Sequence, residues 1–368
     1  MSFFLPPLPP KWSAALRDVT AQRTDSRIAA ARRLGQPVDA AQATEALAGL
    51  RQLSGDREGR VRAAAIEALN ALVENGDGVS RESVSDVLRA RLSDSDPSVR
   101  EIATVGLADL GWNVAAPALT EALRSEYPEV RFQALSAAAQ SGADGTADQI
   151  LTLLDDPDPF VRTAAVRAAG MIAPGTRPDS ITSKLRAALR DSAYPVRCEA
   201  GIALAEEGER EAADALLVAL SDPQHLLDAL DVAPLLPDER VREKVAFMAG
   251  AVLGSRLIVA AAGRALARMK DPRGIQVLRD LLTGFRTQGR TLAVQTIGEL
   301  RLSDLTGDLI RLSERPRAVD PTALAATLAI LAEAAPTASR ALEVLSNRRD
   351  EYGQAARTAL AEDSRLRA

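Results

Sequence analysis

One pattern that returns five times constrains the fold more than anything else in the chain. A Val-Arg pair stands at Val61-Arg62, Val99-Arg100, Val130-Arg131, Val161-Arg162 and Val196-Arg197, at intervals of 38, 31, 31 and 35 residues. Four residues after each valine comes an alanine: Ala65, Ala103, Ala134, Ala165 and Ala200. Seven after it the residue is always small (Ala68, Gly106, Ala137, Ala168, Ala203), and eight after it stand Leu69, Leu107, Ala138, Ala169 and Leu204. Offsets of 0, 4, 7 and 8 share one face of an α-helix. A small residue required twice on that face implies that another helix backbone passes close to it.

Each of these helices follows another. Thr44–Leu53, Val84–Leu92, Ala115–Leu123, Thr146–Leu154 and Ile181–Leu189 carry leucine or isoleucine at helical spacing. The connecting turns are rich in Asp, Ser and Pro: SDSDPS at 93–98, SEYPE at 125–129, DDPDP at 155–159 and DSAYP at 191–195. Such residues stop one helix and start the next. Proline just ahead of the pair (Pro97, Pro128, Pro159, Pro195) presets the entry dihedral. Six residues before the arginine stands Asp56, Asp94, Asp156 or Asp191 in four of the five repeats, paired in sequence with Arg62, Arg100, Arg162 and Arg197. Carboxylates and guanidiniums so placed are expected to meet counterparts in the neighbouring repeat, forming a structural ladder with bidentate geometry available.

At these residues the chain resembles HEAT-repeat proteins, of the short bacterial type similar to the repeats of phycobilin-lyase-like proteins. The resemblance implies an all-α fold, an α-solenoid wound as a right-handed superhelix of about eleven stacked antiparallel helix pairs. One pair cannot bury its apolar face alone, and stacking supplies the core. The expected organisation is one continuous solenoid. An extended Pro-rich arm covers 1–12, degenerate repeats 13–54 and clear repeats 55–208. Divergent repeats with a possible bend or dimer contact cover 209–256, and degenerate repeats with a cap cover 257–368. The arm contains P-x-x-P-x-K at Pro6, Pro9 and Lys11. It is either a docking peptide or a cap whose Phe3, Phe4, Leu5, Leu8 and Trp12 cover the first repeat.

Composition narrows the chemistry. One histidine and one cysteine cannot build a Cys/His zinc site, and no intrachain disulfide is possible. The net charge of -5, with no basic block, argues against nucleic acid. Four prolines break the apolar N-terminal stretch, so it does not read as a secretory signal. The longest apolar run, Val245–Gly254, is too short to cross a membrane. A cytoplasmic protein without cofactor or metal is expected. A nucleophilic site would have to use His225 or Cys198. His225 reads as an exposed first-turn residue and Cys198 as a bystander at a tolerant position. No phosphate-binding glycine loop occurs, and Gly250 and Gly254 read as close helix packing.

The surface singled out is the outward stripe two and six residues after each valine: Ala63/Glu67, Glu101/Val105, Phe132/Ser136, Thr163/Arg167 and Cys198/Ile202. The core offsets are nearly fixed while this stripe varies in every repeat. That is how a solenoid presents a protein-binding surface on its concave face. A second candidate is the turn edge, where Tyr127, Phe160 and Tyr194 recur at similar places. The leading expectation is therefore a non-enzymatic protein-binding scaffold or adaptor. Bilin-lyase-like small-molecule chemistry and HEAT-like DNA-repair binding are the alternatives that the repeat type brings with it.

Overall fold

The computed structural model describes residues 11–75, 79–140, 146–173, 175–251, 255–284, 287–315 and 319–367. Among these residues there are 22 α-helices, three short 3-10 turns and no strand. They fall into two compact units, Met1–Ala203 and Leu204–Ala368. The first ten residues, with most of the Pro-rich arm, lie outside the described residues, as do Val252–Gly254. Trp12 belongs to the first helix rather than to an arm.

The first unit holds α1 (Trp12–Asp18), α2 (Thr24–Leu34), α3 (Ala40–Leu53), α4 (Gly59–Asn75), α5 (Arg81–Arg89) and α6 (Pro97–Leu110), then α7 (Trp112–Ala122), α8 (Pro128–Gln140), α9 (Ala147–Leu153), α10 (Pro159–Met171) and α11 (Asp179–Ala188), and closes in α12 (Tyr194–Ala205). Odd and even helices form hairpins. Even helices pack side by side in the order α2, α4, α6, α8 and α10, and α5 packs on α7 as α9 does on α11. The unit is thus two layers of helices with the core between them.

The repeated offsets explain that packing. Val61, Val99, Val130, Val161 and Val196 are all fully buried, as is the alanine four residues after each. The small residue at the seventh offset meets the ninth-offset residue of the preceding even helix. A Cβ on Gly170 would lie 3.0 Å from the Ala203 Cβ, and one on Gly35 would lie 3.0 Å from the Ala68 Cα. Where the ninth offset carries the larger Asn70, the residue it meets is Gly106. Bulk on one side of the crossing is matched by its loss on the other.

Helix starts are capped by the turn aspartates. The Asp96 carboxylate accepts from the Ser98 amide at 3.0 Å, and that of Asp158 from Phe160 and Val161 at 2.8 and 3.2 Å. Between α6 and α7 a single residue turns the chain; Gly111 adopts φ +84, which glycine takes without Cβ strain.

The second unit contains α13 (Ala213–Ala219), α14 (Leu226–Val232), α15 (Glu239–Ala249), α16 (Arg256–Arg268) and α17 (Pro272–Thr283), followed by α18 (Thr287–Glu299), α19 (Thr306–Ser313), α20 (Pro321–Ala332), α21 (Pro336–Ser346) and α22 (Glu351–Arg367). Again the even helices pack in sequence, α14 through α22, and the odd ones α13 through α21. Leu278, Val294, Ile297, Leu309, Leu324, Leu328 and Leu342 form the core between the layers. Tyr352 is buried there, its hydroxyl donating to Val319 O at 2.9 Å and accepting from Val319 N at 3.3 Å. Among the described residues no helix is long and apolar enough to cross a membrane.

Candidate partner-binding face

The face begins with what holds its helices in register. The ladder arginines rise from the first turn of an even helix, and those of α4 and α10 bond in two directions. Arg62 Nη1 donates to Asp56 O and Arg57 O of its own turn at 2.9 and 3.2 Å. Its Nε and Nη2 grip the Asp94 carboxylate of the next turn at 2.8 and 2.5 Å. Arg162 does the same with Asp156 O at 2.8 Å and with Asp191 at 2.8 and 2.9 Å. Each ladder aspartate also accepts from the amide two residues on, as Asp94 does from Asp96 at 2.9 Å and Asp191 from Ala193 at 2.8 Å. In the SDSDPS turn the first aspartate therefore serves the ladder and the second caps the helix.

The rungs extend beyond the residues picked from sequence. Arg27 holds Asp56 at 2.7 and 3.0 Å, and Arg131 holds Asp156 at 2.8 Å through both nitrogens. Arg27 lacks the preceding valine, which hides it from the Val-Arg pattern. Ser125 stands where the third turn lacks its aspartate, and Arg100 turns to Glu129 instead. That guanidinium also lies 3.7 Å from the centre of the Tyr127 ring. Arg197 bonds Asp191 O and Ser192 O at 2.6 and 3.0 Å.

The electrostatics follow from this geometry. Burial raises the Asp94 pKa, but the bonds from Arg62 and the Asp96 amide more than offset it, and the net direction is down. Asp56 and Glu129 behave alike, under Arg27 and Arg100 respectively. For Asp191 the bond from Arg162 dominates and lowers it.

The stripe itself divides. Glu67 and Glu101 are exposed, and Val105 and Phe132 are 37% and 36% exposed. Ala63, Ser136 and Thr163 are half-buried. The Ser136 and Thr163 hydroxyls bond their own helix, to Phe132 O at 3.1 Å and Pro159 O at 2.8 Å. Two expected members are corrected. Ile202 is buried, with Cys198, four residues before it, fully so; an apolar residue at that offset gains more from burial than from staying open. Arg167 is exposed but engaged: its Nε donates to Glu199 Oε1 at 2.9 Å, an acceptor that is itself buried. The open stripe therefore runs over α4, α6 and α8 and closes at α10.

The turn edge divides too. Phe160 and Tyr194 are exposed, whereas Tyr127 is half-buried beneath Arg100. His225 corrects the reading of an exposed residue. It is buried at the start of α14, with Nδ1 against the Asp222 carboxylate, because that pairing satisfies the ring away from water. Trp12 donates from Nε1 to Glu45 at 2.8 Å and lies under Arg33. A separate groove between α20 and α22 is lined by Ala326, Ile330, Ala355, Ala359, Glu351 and Glu362.

The family described as HEAT repeats matches residues 73–139 and 116–183. No match was found among curated proteins. Among solved structures, the chain is similar to Escherichia coli YibA at 19% identity and a TM-score of 0.51. That alignment covers 71% of this chain and 93% of the other. It is also similar to importin beta at 13% identity and a TM-score of 0.56, over 95% of this chain and 56% of that one, so it spans about half of importin beta. At these identities the likeness is one of fold.

Proposed function

We propose that this chain, which belongs to the HEAT-repeat proteins, is a non-enzymatic scaffold or adaptor that binds a protein partner. The contact face is the open stripe of α4, α6 and α8. One observation carries the reading: Glu67, Glu101, Val105 and Phe132 are left to solvent directly beside rungs and crossings whose groups are satisfied. Charged and apolar side chains interleaved on a rigid, packed layer suit an interface of hydrophobic centre and polar surround. Phe160 and Tyr194 on the turn edge extend the contact as secondary anchors. The residues a nucleophilic site would need, His225 and Cys198, are buried, which supports the non-enzymatic reading. No cofactor is called for, and action in the cytoplasm is part of the proposal.

The test is native affinity capture followed by mass spectrometry, with wild type against Phe132→Arg/Val105→Glu. The wild type is expected to retain a stable protein that the double variant loses, with unchanged far-UV circular dichroism. Capture of the same protein by both, or of none by either, refutes the reading.

A further inference from the structure

The stripe carries a charge pattern that indicates the chemistry of its occupant. Between α10 and α12 the stripe's Arg167 is satisfied by the buried Glu199 of the next helix. Earlier in the stripe Glu67 of α4 stands at the offset of Arg167, and Glu101 of α6 two residues after its valine; they have the same sign, and among the described residues they make no ion pair or hydrogen bond. Glu74 on α4 and Asp109 on α6, on the same side of their helices, are also exposed and unpaired. Among the described residues, Arg60 at the first turn of α4 and Arg32 on α2 are exposed cations on this side with no ion pair. The centre of the stripe is thus acidic, and cations lie at its margin. Val105 sits on the acidic α6 and Phe132 on the adjoining α8; they are the two exposed large apolar side chains of those helices. Because α4 packs on α6 and α6 on α8, these residues lie within two helix spacings of each other, roughly 20 Å.

Resting on the function proposed above, we infer that this face binds a basic amphipathic segment of a protein partner. A large apolar side chain of the segment covers Phe132 and Val105. Its lysines or arginines supply to Glu67 and Glu101 the countercharge that Arg167 supplies to Glu199. Exposed carboxylates lose little on such pairing, since neither is deeply desolvated beforehand, and the gain appears chiefly as selectivity and salt dependence.

The probes are two fluorescent amphipathic peptides of one leucine pattern, one with lysine on its polar face and one with glutamate, titrated by anisotropy against the full chain. The lysine peptide is expected to bind and to weaken with added salt; the glutamate peptide is not. Glu67→Lys/Glu101→Lys should weaken the lysine peptide roughly ten-fold. Glu211→Lys/Glu314→Lys, an equal charge change at exposed carboxylates of the second unit, should leave it unaltered. Equal loss in both variants reduces the effect to net charge and overturns the inference, as does equal binding of the two peptides or binding of neither. If a natural partner is lost on Phe132→Arg/Val105→Glu yet kept by Glu67→Lys/Glu101→Lys, the face stands and the basic segment falls.

Discussion

Arg62→Met is the sharpest probe of the ladder. Arg62 is 8% exposed as a residue, and Asp94, whose carboxylate it clasps, 7%. It makes two bonds to that carboxylate and two to backbone carbonyls. Methionine fills the volume but leaves a buried anion with only the more distant Arg91, 3.7 Å away, as countercharge. Breaking one side of a buried pair costs about 3–5 kcal/mol, and Asp56 O and Arg57 O lose their donor as well. Arg62→Met/Asp94→Asn removes the stranded charge while keeping an oxygen for the Asp96 amide, and it should recover more than half of the loss. The pH dependence has a definite sign. In the wild type Asp94 has a pKa below its ordinary value, so its stabilisation is present above the unfolded value near 4 and is lost as pH falls through the lower folded value. In Arg62→Met burial, the largest influence on Asp94, is opposed only by the Asp96 amide and the Arg91 charge, so the Asp94 pKa rises above its wild-type value and acid neutralises the stranded carboxylate more readily. The gap between variant and wild type should therefore narrow from pH 7 to pH 4. Urea unfolding followed by circular dichroism at the two pH values measures both effects. A cost under about 1 kcal/mol at pH 7, or a gap that widens in acid, would show that the rung is not a structural pair.

Other perturbations test other layers of the argument. Ala134→Leu overpacks a fully buried offset-four position, and should cost about 1–3 kcal/mol in urea unfolding; a silent variant would mean the helix faces are misassigned. Tyr352→Phe leaves the Val319 amide and carbonyl without their buried partner, which should cost about 1–3 kcal/mol and lower the melting temperature. Cys198, fully buried, should react with a thiol reagent only as fast as its helix opens, so urea should accelerate labelling steeply; rapid labelling of the native chain would contradict its burial.

The fold was legible because small residues at fixed offsets have no other use: Ala134, Gly106 and Ala203 mark where backbones meet, and alanine is readable as alanine without coordinates. The ladder was legible in the turns that keep an aspartate, and obscure elsewhere for local reasons. Glu129 substitutes for the missing carboxylate from inside a helix, at a different offset, and Arg27 lacks the valine that flags its fellows. The stripe was harder. Helical spacing places Ile202 and Val105 at the same offset, yet one is covered and the other open. Periodicity assigns a direction, and whether that direction meets solvent depends on neighbours that no spacing records. Likewise Arg167 and Glu199 are distant in sequence, and their charges look free until the helices are laid side by side.

The rungs also impose a polarity on growth. A hairpin whose turn keeps its aspartate offers a carboxylate backwards and a guanidinium forwards, so a duplicate of it inserted between two of its kind would find both its bonds already waiting. A copy inserted in reverse would set like against like. Lengthening such a chain therefore needs no new invention at the joints. Exposed positions such as those of Glu67 and Phe132 remain free to diverge in each added copy, because their side chains take no part in the joining.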